Sequence, residues 1–189
     1  MANEISTIRI IAGTHRSRKI SFPNKEEVRP TGSRIRETLF NWVQYRISSA
    51  VCLDLFAGSG ALGIEALSRG AREAVFIEKN PITAAALSQN IELLNLTKCE
   101  IHQIDALQWA STRQFTRKFN LVFLDPPFES SLLKKSCVAL EKSELLAENC
   151  LIYVEKPNPA NPEDVPLEWS MEKETKIGNV FFFLYSRNV

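Results

Sequence analysis

The stretch DLFAGSGALG, residues 54–63, lies between two apolar runs, and its three glycines have the spacing G-x-G-x-x-G. Glycines at such positions allow a tight turn, a close approach of the backbone to a ligand and close packing of the following helix. The stretch therefore predicts a strand, a glycine turn and a helix that together bind a nucleotide-containing ligand. The spacing alone does not identify that ligand.

The rest of the chain alternates between strand and helix patterns. The predicted strands are 51–56, 73–78, 99–104, 119–125 and 150–155, and the predicted helices are 61–70, 81–95, 106–113 and 130–141. Residues 167–175 and 179–186 predict a closing hairpin that turns at Gly178. The order predicts an α/β, Rossmann-like domain with a mostly parallel seven-stranded sheet, helices on both faces and an antiparallel C-terminal hairpin.

A basic segment precedes this domain. Residues 7–13 and 18–22 predict a small N-terminal β-hairpin, followed by a helix over 34–47 with Ser33 as its N-cap. We divide the chain into a basic arm, residues 1–30, and a main domain, residues 31–189. Residues 1–36 contain eight Lys/Arg and three acids, a net charge of +5, so the rest of this +1 chain carries −4. A polyanionic partner and a merely solvated charged edge explain this asymmetry equally well.

Composition argues against several other classes of protein. No apolar run approaches the roughly 20 residues that a membrane span needs, and the early run 8–12 is short and contains Arg9. The four cysteines form no C-x-x-C pair, and the two histidines share no ligand spacing. We therefore expect a cytoplasmic, monomeric protein with reduced cysteines, no metal site and no membrane association.

Acidic residues follow three of the predicted strands. Asp54 would repel a pyrophosphate at the helix N-terminus but favour a cationic ligand, and S-adenosylmethionine (SAM) is cationic and has no phosphate. Glu78 suits the ribose hydroxyls of NAD and SAM equally. Asp105 and the backbone of Ala106 suit an adenine. The alternatives are that Asp54 caps local backbone amides and that Asp105 is a helix N-cap.

The tetrapeptide 125-DPPF-128 follows the fourth strand of the alternating series. An exocyclic amine on a base is a poor nucleophile, and two acceptors aimed at its hydrogens favour a pyramidal nitrogen. The Asp125 side chain and the Pro126 carbonyl are the predicted acceptors, Pro127 stiffens the turn, and Phe128 offers a face for stacking the base. Catalysis would be mainly positioning and electrostatics. A hydride-transfer enzyme would leave Asp54 and this tetrapeptide without a role.

Together with the upstream glycine turn, DPPF resembles the signature of SAM-dependent amino-group methyltransferases. The chain is similar over nearly its whole length to the bacterial 16S rRNA (guanine-N2)-methyltransferases of the RsmD type. The matching stretches are 8-IRIIAG-13, 29-RPT-31, 34-RIRETLFNW-42, 53-LDLFAGSGALGIEALSRG-70, 125-DPPF-128 and 151-LIYVE-155. The resemblance implies a class I SAM-dependent methyltransferase fold and methylation of N2 of guanine 966 in 16S rRNA, on the assembled or assembling 30S subunit.

The resemblance also implies residue roles. The expected cofactor contacts are Thr31, Arg36, Glu37, Asp54, Phe56, Gly58, Gly60, Glu78, Asp105 and Ala106. Arg36 is expected to pair with the SAM carboxylate, or alternatively with phosphate. The expected catalytic residues are Asp125, Pro126, Pro127 and Phe128, and the expected RNA contacts are Arg16, Arg18, Lys19 and Arg34.

Two points stay open at this stage. The same chemistry suits adenine N6 or cytosine N4 of DNA, or a protein glutamine, and a non-catalytic RNA-binding factor is a further alternative. Ser17 stands where the family usually has glycine, which makes a positive φ at that turn costly. The target base is expected to be flipped or looped out of its stack.

Overall fold

The computed structural model describes residues 5–23, 31–111, 117–127, 131–159 and 161–189. Within these ranges the strands are β1 Ile5–Arg9, β2 Lys19–Pro23, β3 Val51–Asp54, β4 Glu73–Ile77, β5 Cys99–His102, β6 Phe119–Leu124, β7 Leu146–Lys156, β8 Trp169–Ile177 and β9 Val180–Arg187. The α-helices are α1 Ser33–Trp42, α2 Ala61–Ser68, α3 Pro81–Leu93, α4 Ala106–Ser111 and α5 Leu132–Lys142, and a 3-10 turn spans Pro162–Asp164.

The main sheet has seven strands in the order β5-β4-β3-β6-β7-β9-β8. Strands β3 to β7 are parallel, and β9 and β8 add as an antiparallel hairpin. The predicted class I methyltransferase fold is therefore confirmed, including the turn at Gly178, whose φ is 62°. The strand order reverses between β3 and β6, and in open α/β sheets ligands bind at the carboxyl ends of the strands beside such a switch point.

Both faces of the sheet are buried. One face, with Cys52, Phe76 and Phe123, packs against α1, α2, α3 and the N-terminal hairpin. The other, with Val75 and Val122, packs against α4 and α5. Burial on both faces explains why the parallel strands are nearly continuous apolar runs in the sequence.

The basic arm is part of the same packed structure. Ile20 and Phe22 of β2 and Ile10 after β1 are buried, and the Asn90 side chain on α3 bonds both backbone polar groups of Ser21. The first predicted strand, 7–13, is observed two residues earlier and ends at Arg9, because the chain then turns toward α2.

The turn of the hairpin contains two residues with positive φ. Gly13 has a φ of 83°, and a Cβ there would lie 1.7 Å from the carbonyl oxygen of Ser68. Ser17 has a φ of 68°, so this serine adopts the conformation that glycine accepts more readily. The turn therefore keeps the conformation that a glycine would favour.

The start of α1 differs from the prediction. Gly32, not Ser33, is the N-cap, because the first helical bond runs from the Arg36 amide to the Gly32 carbonyl, and Gly32 has no side chain to cap the helix. The helix ends at Trp42, and residues 43–46 continue as turns that bring Ile47 into the core. None of the helices in the described ranges is long and apolar enough to cross a membrane.

Candidate active site

The register of the parallel strands aligns one row of side chains across the sheet. Asp54 on β3 is the Cα partner of Phe76 on β4 and of Phe123 on β6, and Phe123 is the partner of Tyr153 on β7. Parallel neighbours in register present their side chains on the same face. This row therefore lies on the face that carries α1 and the N-terminal hairpin.

Two residues further along the chain from Phe76, Phe123 and Tyr153, the side chains are acidic. Glu78 follows β4, Asp125 follows β6, and Glu155 lies near the end of β7. Because the side-chain period of a strand is two, these carboxyl groups share the face of Asp54. The structure thus brings four acidic side chains to the carboxyl edge of the sheet, on both sides of the switch point.

The glycine turn joins β3 to α2 within this edge. Gly58 and Gly60 have φ values of 50° and 76°, and Gly60 is the N-cap of α2. A Cβ on Gly60 would lie 2.3 Å from Leu87, and one on Gly63 would lie 2.2 Å from the ring of Phe76. The last two glycines are therefore required for close packing of α2 on α3 and on β4.

Asp54 bonds to the backbone of α2 just after the glycine turn. It is buried, and its Oδ2 accepts a hydrogen bond from the Gly63 amide at 3.0 Å. Burial, with a smaller contribution from nearby Glu78, raises its pKa to about 7 against the opposing Gly63 hydrogen bond. The capping alternative is thus realised, and the carboxylate is in addition held in an environment that favours a cation.

Glu78 and Asp105 also bond to backbone amides. The two Glu78 oxygens accept from the Gly58 amide at 2.9 Å and the Asn80 amide at 2.7 Å. Asp105 is exposed and its Oδ1 accepts from the amides of Leu107 and Gln108, so it is the N-cap of α4. Each carboxylate keeps acceptor capacity beyond these bonds.

Asp125 lies at the centre of the edge. It is half-buried, and the Thr31 hydroxyl donates to its Oδ2 at 3.4 Å. Burial raises the pKa of Asp125 well above its usual value, and Glu155 and Asp54 add to the shift. Pro126 is buried and Pro127 is exposed, whereas Phe128 lies outside the described residues.

Arg36 was expected at the cofactor carboxylate, but its guanidinium has other partners. It is 2% exposed and donates to the Thr31 carbonyl at 3.1 Å, to Glu65 at 3.1 Å and to the Arg9 carbonyl at 2.9 Å. Burial lowers the pKa of Arg36, and the Glu65 carboxylate opposes that shift. We therefore assign Arg36 a structural role and leave it out of the proposed cofactor contacts.

Glu65 is the residue that sequence reasoning missed. It is 0% exposed on α2 and also accepts from the amides of Ile11 and Ala12 and from Arg69. The available signal was a single acid in the otherwise apolar helix ALGIEALS. Such an acid needs buried partners, and its two amide partners come from a segment more than 50 residues away.

The remaining predicted residues lie around this edge or on the arm. Glu37 is exposed on α1, Ala106 is buried at the start of α4, and Phe56 is partly buried against the second face. The cationic side chains that were assigned to RNA are all exposed: Arg16, Arg18, Lys19 and Arg34. Arg18 additionally donates to the Leu93 carbonyl at the end of α3, at 3.1 Å.

Comparison with known proteins identifies a family model and several relatives that match most of the chain. The family model described as "Conserved hypothetical protein 95" matches residues 8–186. The chain is 42% identical to the ribosomal RNA small subunit methyltransferase D of Escherichia coli (strain K12), over 95% of this chain and 90% of that protein. It is 40% identical to the protein of the same name from Haemophilus influenzae, over 97% and 95% of the two chains.

A solved structure, "Putative methyltransferase yhhF from Escherichia coli", superimposes with a TM-score of 0.88 at 39% identity. It covers 97% of this chain and 99% of the other.

Replacing Arg36 with Gln tests its structural role. Removing one partner of a buried pair leaves an uncompensated charge, and we expect the free energy of unfolding to fall by about 3–5 kcal/mol in urea titrations. The control is Arg72→Gln in the exposed Arg72–Glu73 pair, with an expected change below about 1 kcal/mol. An Arg36→Gln protein that keeps its stability but loses affinity for S-adenosylhomocysteine would restore the cofactor role.

Proposed function

Because the chain belongs to the family described as "Conserved hypothetical protein 95", we propose that it is a SAM-dependent methyltransferase acting on the RNA of the small ribosomal subunit. The names of its curated relatives give that activity for those proteins. The proposed acceptor is the exocyclic N2 of one guanine, guanine 966 of 16S rRNA on the assembled or assembling 30S subunit. The observation that carries the proposal is Asp125-Pro126-Pro127 at the end of β6, beside the glycine turn at the switch point of the sheet.

The donor site proposed for SAM is the glycine turn and the acidic edge. Gly58 and Gly60 bring the backbone close to the ligand, Asp54 and Phe56 flank its methionine part, and Glu78 offers acceptors to the ribose. Asp105 and Ala106 are proposed to contact the adenine, and Thr31 and Glu37 are proposed to border the site. When bound, SAM supplies an electrophilic methyl group and positive charge. The fit rests on the carboxyl groups of the edge, whose pKa values are raised mainly by burial and whose ionised forms a cationic ligand would stabilise.

The acceptor amine is proposed to bind at Asp125. A carboxylate oxygen and the Pro126 carbonyl accept from the two N–H bonds of the amine, which directs the nitrogen lone pair at the methyl group. As the N–C bond forms the nitrogen becomes acidic, and Asp125 takes its proton. Stacking of the base on Phe128 stays a prediction, because that residue lies outside the described ranges.

RNA is proposed to contact the arm. The hairpin packs on the same face of the sheet as Asp125. An RNA whose phosphates bind along the hairpin would therefore extend toward the acidic edge. Arg16, Lys19 and Arg34 are exposed, and Arg18 is exposed although one of its nitrogens bonds to α3. These cations compensate for the acidic edge, which by itself repels a polyanion.

Methyl transfer should depend on Asp125. With labelled SAM offered to small subunits, free 16S rRNA and DNA, we expect label in the ribosomal RNA only, on N2 of a guanine. Asp125→Ala should lower turnover by about 100-fold or more with little change in affinity for S-adenosylhomocysteine. Asp125→Asn keeps one acceptor oxygen but loses the base, so its turnover should lie between those of wild type and Asp125→Ala.

The folding stability of these variants separates catalysis from misfolding. A carboxyl whose pKa is raised by folding contributes stability below its unfolded pKa, about 4, and loses it as pH rises through the folded pKa. Asp125→Asn should therefore be at least as stable as wild type near neutral pH. Turnover within about tenfold of wild type in Asp125→Ala would exclude the amine-acceptor role.

Donor affinity should increase with pH. Asp54 has a pKa of about 7 without a cation nearby, so binding a cationic ligand below that pH must release a proton. We expect the Kd for SAM, which carries a sulfonium and an ammonium, to rise about tenfold between about pH 8 and about pH 6. Proton release should also be measurable by calorimetry in buffers of different ionisation enthalpy.

The matched control ligand is methylthioadenosine, which is uncharged in this range. Its affinity should change little with pH. An equal pH dependence for both ligands would mean that the acidic edge does not sense ligand charge.

The arm should set the salt dependence of RNA binding. Replacing Arg16 and Lys19 together with Ala removes about two phosphate contacts, and each contact is worth about 0.7–0.9 in the slope of log K against log salt. Lys142→Ala and Lys173→Ala, on exposed surfaces away from the hairpin, are the controls. A slope equal in all variants would make the arm a solvated charged edge.

A further inference from the structure

Glu155 is the acidic residue of this edge that the proposed reaction does not use. It lies at the end of β7 and is 8% exposed. The register pairs Leu124 with Val154, so the next residues, Asp125 and Glu155, are neighbours on adjacent strands. Their side chains leave the sheet on the same face, as do those of Phe123 and Tyr153 below them.

The Thr31 hydroxyl joins the two carboxyl groups. It donates to Asp125 Oδ2 at 3.4 Å, and its contact with the Glu155 carboxyl lowers the pKa of that acid. A hydroxyl has one proton and two acceptor lone pairs. When Thr31 donates to one carboxylate it can only accept from the other, which must then be protonated.

Two further contacts hold this bridge in place. The backbone carbonyl of Thr31 accepts from the buried Arg36 guanidinium at 3.1 Å. The Tyr153 hydroxyl donates to Glu155 Oε2 at 3.3 Å, and its ring stacks on Phe182 at 6.3 Å between centroids. Thr31 and Glu155 are thus each held by a residue of the packed core.

We propose that Glu155 is a positioning residue of the methyl-transfer site, which shares one proton with Asp125 across the Thr31 hydroxyl and holds that proton while Asp125 accepts from the target amine. The inference rests on the proposed function, since it assigns Glu155 a part in that reaction. It explains why a second acid lies beside Asp125 where one would suffice to bind an amine.

The step balances without a further reactant. The nitrogen lone pair forms the new N–C bond, and the electron pair of the broken C–S bond stays on sulfur. The nitrogen then loses one N–H proton to Asp125. The pair holds two protons at that point, and one passes to water when the product leaves.

The charges around the pair favour this sharing. Asp125 faces Glu155, Asp54 and the Thr31 hydroxyl. Burial is the main cause that raises the pKa of Asp125, and the two neighbouring acids add to it. Burial raises the pKa of Glu155 to about 7, while its hydrogen bonds with Tyr153 and Thr31 oppose the shift. Two interacting carboxyls titrate as a pair, so the charge of one changes the pH at which the other ionises.

The test is the pH profile of single-turnover methyl transfer at saturating donor. In wild type, the rate should fall on the acid side as Asp125 becomes protonated. Glu155→Gln removes the shared proton that stabilises the Asp125 carboxylate and should move this acid limb to higher pH by about one unit, whereas removing a neighbour that acted only as a negative charge would move it to lower pH.

Thr31→Val keeps the shape of the side chain but loses the donor, so it should move the limb to higher pH. Thr31→Ser keeps the hydroxyl and should restore the wild-type limb. A packing role for Thr31 predicts the reverse ranking, with Val tolerated better than Ser. Glu148→Gln, exposed on the same strand, is the matched control and should move nothing.

A second measurement needs no methyl acceptor. Calorimetry with SAM, whose sulfonium is cationic, in two buffers counts the protons released on binding, and Glu155→Gln should release fewer than wild type. If the acid limb lies at the same pH in all variants, or if Glu155→Gln releases as many protons as wild type, the proposed role of Glu155 is overturned. A wild type that labels no RNA, but whose proton count falls in Glu155→Gln, overturns the proposed function and leaves the shared proton supported.

Discussion

The arrangement of the whole edge depends on one buried ion pair. Glu65 is enclosed on α2 and accepts four hydrogen bonds, from Arg36, from Arg69 and from two backbone amides after β1. Desolvating two charges is expensive, and such a pair is stable only when the remaining hydrogen-bonding groups are satisfied. Here Arg36 uses its other nitrogens on two carbonyls. The pair therefore fixes four segments relative to one another: the hairpin, the Thr31 segment, α1 and α2.

The acidic edge is the opposite case. Its carboxyl groups converge without cations among the described residues, and burial raises the pKa of three of them: Asp54, Asp125 and Glu155. In the ionised state they repel one another, so the edge is destabilising near neutral pH. Such strain is typical of functional sites. A cationic ligand relieves it, which couples ligand binding to the stability of this part of the fold.

Sequence patterns foretold the features that are local. The alternation of strands and helices follows from the apolar runs, and the turn at Gly178 follows from its flanking strands. The cost at Ser17 follows from the glycine that is usual at that position in the family that the sequence resembles. The roles of Arg36 and Glu65 were not predictable in this way, because they pair with each other across 29 residues and with backbone groups of residues 9–12. In the sequence, Arg36 cannot be distinguished from an exposed helical arginine, because its burial depends on how α1 packs. Ser33 failed as an N-cap because Gly32 already accepts the first helical bond, a difference of one residue that propensity does not resolve.

The same contacts connect the basic arm to the site by a short bonded route. The Arg9 carbonyl accepts from Arg36, Arg36 donates to the Thr31 carbonyl, and the Thr31 hydroxyl donates to Asp125. The Arg36 links are buried, so the hydroxyl has its position before any substrate arrives. Preorganised donors and acceptors stabilise developing charge without reorganisation at the moment of reaction. Under the proposed function, the exposed cations of the hairpin would bind a polyanion at the surface while the Asp125 carboxyl is positioned from the core.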